Sequence, residues 1–292
     1  MNLLKALFGG KTETPEEKAR EEEARNFDVL KYDGVRAMRS GQTDYAVKCF
    51  THALAMQDDM EIRDYLSQVY IYQNRLEEAM DELQHMTEAQ PENVQVLVRM
   101  ANVAYMQEDY DAMATACERA LEVDGSHAET VYLYARAAKG KGHLVEAVAR
   151  LTQAIALDET YGDAYLFRGE TLLSMGDTDG ADADARWLLE HAADHEEVLL
   201  LKARIENRKG NLDEALLYYN KVVEQNPFCV DAYQERGAIR MAMGDQQGAA
   251  ADGVKVMELR PADAENVTGD FSAEGIEQKT RAAYRSNPLG LG

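Results

Sequence analysis

Two histidines come closest to the spacing of a metal site. His191 and His195 stand four residues apart in EHAADHEE, so on a helix both rings would lie on one face, where they could begin a zinc site. The stretch lacks the glutamate of an HExxH motif, and no third ligand accompanies the pair. We therefore expect a polar helix end here, with no metal, and keep weak catalysis by the pair as a third functional hypothesis.

A run of aspartates invites a calcium interpretation. Asp177, Asp179, Asp182 and Asp184 lie in GDTDGADADAR, but a calcium-binding EF-hand loop needs a fixed order of 12 positions that ends in glutamate. The run falls where a predicted helix begins, and the helix dipole favours negative charge there. These residues are therefore predicted to cap a helix.

The remaining reactive residues also argue against catalysis. Cys49, Cys117 and Cys229 are odd in number, far apart and set in apolar runs, which favours neither a disulfide framework nor a metal site. Such cysteines are typical of a reducing cytoplasm, the predicted location. No nucleophile elbow, phosphate loop or dinucleotide fingerprint occurs. The sequence predicts a protein that is not an enzyme and has no cofactor.

Charge narrows the range of partners. The 292 residues include 31 Lys and Arg against 53 Asp and Glu, a net charge of -22. Such a chain repels phosphate backbones and anionic lipid surfaces, so neither nucleic acid nor a membrane surface is expected as a partner. No stretch reaches the roughly 18 apolar residues that a membrane-spanning helix needs.

A repeat of 34 residues organises the chain. Alanines recur at positions 46, 79, 147, 181, 215 and 249, and Met113 fills the missing place. A small residue stands twelve positions before each, and five positions before each stands a glycine, Asn74 or Glu108. Glycine and asparagine there can adopt a positive φ and end a helix. Apolar residues at helical spacing on both sides of that turn predict two amphipathic helices per repeat.

This pattern resembles the tetratricopeptide repeat (TPR), and the resemblance covers residues 27–263 in seven repeats. The usual aromatic near the start of the first helix is present as Tyr165 and Tyr233 and replaced elsewhere. The resemblance implies an all-α fold, a right-handed α-solenoid of stacked helix-turn-helix units.

The ends differ from the repeats. Residues 1–13, which include LLKALF, are expected to be a flexible tail, with docking onto a partner or onto the chain itself as the alternative. Residues 14–26 read as a charged helical extension, opened by a capping box of Thr14 and Glu17. Residues 264–292 are predicted to form a C-terminal capping helix and tail, because the last repeat would otherwise leave an open face.

The resemblance also implies a binding surface. In TPR proteins the concave groove is lined by four positions of each first helix. Phe167 and Arg99 lie one place off these positions. The candidate set is Asn102, Tyr105, Tyr132, Arg136, Phe167 and Arg204. Tyrosine and arginine are frequent interface anchors, and arginine binds carboxylates in bidentate fashion. The alternative is that the tyrosines only pack between helices and the arginines pair with neighbouring glutamates.

These features favour a non-catalytic scaffold that binds a peptide or protein segment in the groove. The partner is expected to be basic, because the repeats hold -20 of the net charge, or to carry a carboxylate that the arginines would bind. A chaperone-tail clamp is not expected, since Val35 and Asp64 replace the donors that such a clamp needs. The alternative is an adaptor or regulatory subunit that contacts an enzyme complex through its terminal tails. The sequence leaves the oligomeric state open.

Overall fold

The computed structural model describes residues 14–260, apart from the side chain of Lys18, and within that range the chain forms fourteen α-helices and no strand. The helices are α1 (Pro15–Arg39), α2 (Thr43–Met56), α3 (Met60–Tyr72), α4 (Leu76–Ala89), α5 (Val94–Met106), α6 (Tyr110–Val123), α7 (Ala128–Gly140), α8 (Leu144–Leu157), α9 (Gly162–Met175), α10 (Thr178–His191), α11 (Glu196–Lys209), α12 (Leu212–Gln225), α13 (Val230–Ala242) and α14 (Gln246–Leu259). The predicted all-α class and the two helices per repeat are confirmed.

The first compact unit ends at Lys141, and its described part holds α1 to α7. The pairs α1 and α2, α3 and α4, and α5 and α6 pack closely, and each pair also contacts the next helix. A Cβ atom at Gly34 would lie 2.5 Å from the ring of Phe50. The small residue is therefore required, because the two helices of the first repeat touch there.

The second compact unit begins at Gly142, and its described part holds α8 to α14. Its pairs are α9 with α10, α11 with α12, and α13 with α14. Leu188, Leu201 and Tyr219 are among its buried core residues, and a Cβ atom at Gly169 would lie 2.9 Å from Leu201. Since Leu201 lies on α11, the close approach at Gly169 is between the first helices of successive repeats, and the paired helix α10 comes no nearer than Asp184, at 3.4 Å.

The two periodic columns found in the sequence are core positions in both units. The six alanines of the 34-residue period and Met113 have no exposed surface, and the small residues twelve positions earlier are all buried. Positive φ occurs at the turn that follows each first helix. The residues with positive φ are Gly41, Asn74, Glu108, Gly142, Gly176, Gly210 and Gly244. Glu108 adopts φ 57° although it is neither glycine nor asparagine.

Two arginines form clamps on buried aspartates that the sequence analysis did not predict. Arg168 on α9 binds Asp184 on α10 through two bonds of 2.7 and 3.0 Å, and its third nitrogen donates to Thr152 on α8. Arg236 on α13 repeats this arrangement with Asp252 on α14, at 2.5 and 3.1 Å, and with Asn220 on α12. Each arginine therefore holds three successive helices together.

The aspartate run is only partly a helix cap. Asp177 accepts a hydrogen bond from the backbone N–H of Gly180, as predicted. The prediction is wrong for Asp184, which lies in the clamp, and for Asp182, which pairs with Lys202 at 2.6 Å and Lys209 at 2.9 Å. Burial alone would raise the pKa of Asp182, but the hydrogen bonds from these lysines outweigh it and hold that pKa below its ordinary value.

At the N-terminal end of the described range, α1 begins with the predicted capping box. The Thr14 hydroxyl accepts a bond from the backbone N–H of Glu17, and the Glu17 carboxylate accepts one from the backbone N–H of Thr14. The helix then continues without a break to Arg39, into the first repeat. The predicted tail at residues 1–13 and the capping helix and tail at 264–292 lie outside the described residues.

Candidate peptide-binding surfaces

In the first unit, three of the predicted binding residues form one cluster. Arg136 on α7 lies with its guanidinium carbon 3.7 Å from the ring centre of Tyr105 on α5 and 5.8 Å from that of Tyr132. Tyr105 is exposed, whereas Tyr132 and Arg136 are half-buried. A cation over an aromatic face is attracted by the ring electrons, so these contacts hold the arginine in place without neutralising it.

The Arg136 guanidinium has no carboxylate within 4 Å among residues 14–260. This sets it apart from other shielded arginines of the chain, each of which has a carboxylate partner: Arg63, Arg99, Arg168, Arg204 and Arg236. Its N–H donors can therefore take a carboxylate from another molecule.

The other predicted residue of the first unit lies close to this cluster in sequence but uses its side chain locally. The amide of Asn102 donates to the carbonyl of Val98, one turn earlier on α5, at 3.1 Å. Arg99, one position off the predicted set, is paired with Asp64 of α3. Of the predicted residues of the first unit, the structure thus brings together Tyr105, Tyr132 and Arg136.

In the second unit, Arg204 already has a partner. It binds Glu235 on α13 through three bonds of 2.7 to 3.0 Å, and the buried hydroxyl of Tyr219 donates to the same carboxylate at 2.6 Å. Burial favours the neutral arginine, but the bonds to Glu235 outweigh it and raise the pKa of Arg204. Burial, and then the charge of Glu235, raise the pKa of Tyr219. For Arg204 the structure therefore gives the alternative outcome, pairing with a glutamate.

A cavity of about 420 Å³ opens above this ion pair, between α9, α11 and α13. Besides Arg204 and Glu235 it is lined by Ser174, Asn207 and Arg208. Phe167, also on α9, is half-buried and outside this lining. The second unit thus has a recess on its first helices in which the charge of Arg204 is already neutralised by Glu235.

An aromatic stack in the second unit was missed from the sequence. The ring of Trp187 lies between Tyr165, at 3.9 Å, and His191, at 4.0 Å, with planes within 17° of parallel. The Nδ1 atom of His191 is 2.7 Å from the Trp187 carbonyl oxygen, to which it donates. The imidazole ring of His191 is thus a packing element. His195 is the N-terminal cap residue of the next helix, α11.

Residues 14–260 give little support for a metal site or for a reactive cysteine thiol. No group of three or more histidine, cysteine or acidic side chains is placed to hold a metal ion there. All three cysteines are buried, and burial raises the pKa of Cys117 to about 12 and that of Cys229 to about 11. Such thiols stay protonated near neutral pH. No helix in the described range is long and apolar enough to cross a membrane.

Comparison with known proteins identifies the fold. The sequence profile of the tetratricopeptide repeat matches residues 168–228. A tetratricopeptide repeat protein from Parabacteroides merdae superposes with a TM-score of 0.69 at 14% identity, over 88% of this chain and 99% of that one. No curated protein sequence shows significant similarity to the chain.

Two further solved structures are similar. PilW, described as a widely conserved type IV pilus biogenesis factor, has a TM-score of 0.63 and 20% identity, over 69% of this chain and 94% of its own. YrrB, described as a TPR protein with an unusual peptide-binding site, has a TM-score of 0.52 and 20% identity, over 68% and 97%. At these identities the similarities establish the fold alone.

Proposed function

We propose that this tetratricopeptide-repeat chain is a non-catalytic scaffold that binds a segment of a partner protein on the first helices of its first unit. The TPR fold in general supports protein–protein interaction, and stacked helix pairs provide an extended surface for it. The observation that carries the proposal is Arg136, held at 3.7 Å over Tyr105 with no carboxylate partner among the described residues.

Arg136 suits a carboxylate of the partner, from an acidic side chain or a chain terminus. An arginine whose orientation is fixed by two rings loses little conformational freedom on binding, so more of the interaction energy remains as affinity. The surrounding chain is strongly acidic, which favours basic residues elsewhere in the bound segment. The proposed ligand is therefore a peptide with one carboxylate at Arg136 and basic residues beside it.

The test compares two charge reversals of the same type. Arg136→Glu removes the proposed anchor, whereas Arg186→Glu changes an arginine on the exposed side of α10, where it pairs only with Asp182. Proteins captured from native lysate by the wild type are identified, and the affinity of each purified partner is measured for all three chains. A charge-assisted hydrogen bond contributes about 1.5–3 kcal/mol, so Arg136→Glu should weaken binding by roughly tenfold or more.

A partner that binds wild type and Arg136→Glu equally would contradict the proposed site. The adaptor alternative then applies, and it predicts that binding is lost on removing residues 1–13 or 286–292. Metal analysis of the purified chain separates the third hypothesis, because catalysis at His191 and His195 would need stoichiometric zinc.

A further inference from the structure

The third repeat lacks the pair of long side chains that bridges one groove of the fold in the fifth. There, Arg168 reaches from its first helix to Asp184 on the second helix and to Thr152 on the second helix of the preceding repeat. The third repeat has Met100 and Ala116 at the positions of Arg168 and Asp184. Among the seven repeats, only the third has neither a charged nor an aromatic residue at both positions. The corresponding groove, between α4 and α6, is therefore left without a bridge.

A cavity of about 710 Å³ occupies this groove. Apart from Arg119, the buried and half-buried residues that line it are Met80, Thr87, Met100, Ala112 and Ala116. The hydroxyl of Thr87 donates to the carbonyl of Gln84 at 2.9 Å, so its proton is already used. A peptide backbone would lose water on this inner surface without gaining hydrogen bonds, whereas an apolar chain carries no groups that need them.

Arg119 places one cation at the edge of the same cavity. It is half-buried, and it has no carboxylate within 4 Å and no hydrogen bond among residues 14–260. In this it is like Arg136, although no residue of the Arg136 cluster lines the cavity. An unpaired guanidinium beside an apolar surface is suited to a carboxylate, which it can bind through two parallel hydrogen bonds.

Two carboxylates also line the cavity, and neither neutralises Arg119. Asp109 caps α6, where it accepts a bond of 2.9 Å from the backbone N–H of Ala112. Arg119 follows ten residues later on this helix, which corresponds to about 15 Å along the axis. Glu88 extends into water, with 77% of its side chain exposed. These charges disfavour a ligand with several negative groups and leave one carboxylate at Arg119.

We propose that this cavity binds a small amphipathic monocarboxylate, with its apolar chain on Met80, Met100 and Ala116 and its carboxylate on Arg119. The apolar contact supplies most of the affinity, since each buried CH₂ group strengthens binding by about fourfold. Arg119 supplies the selectivity for an anion. The site is separate from the Arg136 cluster, so its test is independent of the proposed scaffold function.

Titration calorimetry with octanoate and octanamide tests the proposal on the purified full-length chain. The two probes share one alkyl chain and differ in charge. We expect one octanoate to bind per chain and octanamide to bind about tenfold more weakly or worse. Hexanoate, which is two CH₂ groups shorter, should also bind about tenfold more weakly than octanoate. Equal affinities for octanoate and octanamide would overturn the proposal, and so would the lack of saturable octanoate binding at millimolar concentration.

Two substitutions of the same type test the anchor. Arg119→Gln should weaken octanoate binding by about tenfold or more. Arg75→Gln removes an exposed arginine that pairs with Glu78 outside the cavity, and it should leave the affinity within about twofold. Equal losses in the two variants would show that only net charge matters and would refute the site.

Ala116→Tyr tests the cavity itself. The sixth repeat has Tyr218 at this position, half-buried, so the fold accepts a tyrosine there. The new ring should fill the inner surface and abolish octanoate binding, while the midpoint of urea unfolding stays close to that of the wild type. Octanoate that binds this folded variant as tightly as the wild type would place the ligand elsewhere and contradict the proposal.

The second unit provides a control within the same chain. A cavity of about 480 Å³ lies at the equivalent position two repeats later and is lined by Trp187. Its arginine, Arg168, is already bound to Asp184 at 2.7 Å, so it offers no free cation. Octanoate should therefore leave the emission of Trp187 unchanged. An emission change that saturates with the calorimetric binding would assign the ligand to the second unit and overturn the proposal.

Discussion

Replacing Asp184 by alanine should destabilise the second unit strongly. Asp184 is 3% exposed and accepts two bonds from Arg168, so its removal leaves a shielded guanidinium without its counter-charge. At an effective dielectric constant of about 20, two unit charges 4 Å apart attract by about 4 kcal/mol. Removing one partner of a buried ion pair typically costs 3–5 kcal/mol. We expect Asp184→Ala to lower the free energy of unfolding by about 3–4 kcal/mol.

The third repeat supplies a matched double variant. It carries Met100 and Ala116, both buried, at the positions that Arg168 and Asp184 occupy in the fifth. Arg168→Met with Asp184→Ala therefore replaces the ion pair by residues that the same fold already accepts. Because no charge is left unpaired, the double variant should lose only about 1 kcal/mol or less.

Urea unfolding, followed by fluorescence, measures both variants. Trp187 is the only tryptophan of the chain and lies one turn from Asp184 on α10, so its emission reports this part of the second unit. With a slope of about 2 kcal/mol per molar urea, the single variant should shift the midpoint by about 1.5–2 M. Asp179→Ala, an exposed change on the same helix, should cost no more than about 0.5 kcal/mol. A loss below about 1 kcal/mol for Asp184→Ala, or a double variant less stable than the single one, would refute the reasoning.

Three further predictions concern packing, backbone and charge. Ala147→Trp should lower the free energy of unfolding by at least about 3 kcal/mol, since Ala147 is fully buried. Val145→Trp, at a position that is 74% exposed, is the control and should have little effect. Thermal unfolding of both variants measures the difference. Glu108→Gly should stabilise the first unit by about 0.5–1 kcal/mol in urea unfolding, because φ is 57° there; a loss of stability would contradict the strain argument. Because the pKa of Asp182 is lowered in the folded state, its ion pair with Lys202 should stabilise the fold above about pH 4 and lose that effect as the pH falls through the folded pKa. Lys202→Met should reduce this acid-side slope of stability, and an unchanged slope between pH 6 and 3 would count against it.

The repeat fold was predictable because each repeat has the same kinds of residue at the positions that local packing and turn geometry require. A buried alanine, a small residue at the helix contact and a turn residue with positive φ recur every 34 residues, so seven weak patterns reinforce one another. Glu108 stands at the turn position of the repeat, although glutamate disfavours the positive φ that this turn requires. The repeat register can therefore impose a strained turn against the local preference of a residue.

The candidate site was predictable only to the level of helix positions. Arg136 and Arg204 occupy the same position of consecutive even-numbered repeats, yet one lies on Tyr105 and the other binds Glu235. The difference comes from residues 31 positions away in each direction, on neighbouring first helices, and the sequence register could have suggested both pairs. The stacking of Trp187 depends on side-chain rotamers, which periodicity does not determine.

The two arginine clamps limit how such a chain can gain or lose repeats. Arg168 and Arg236 are 68 residues apart, as are their partners Asp184 and Asp252, so the fifth and seventh repeats share the same pairing. Excising residues 169–236 would leave Arg168 sixteen positions before Asp252 and conserve the pairing. Excising one repeat, 169–202, would instead place Tyr218 at the position sixteen residues after Arg168. Recombination should therefore tolerate insertions and losses of repeat pairs far better than those of single repeats.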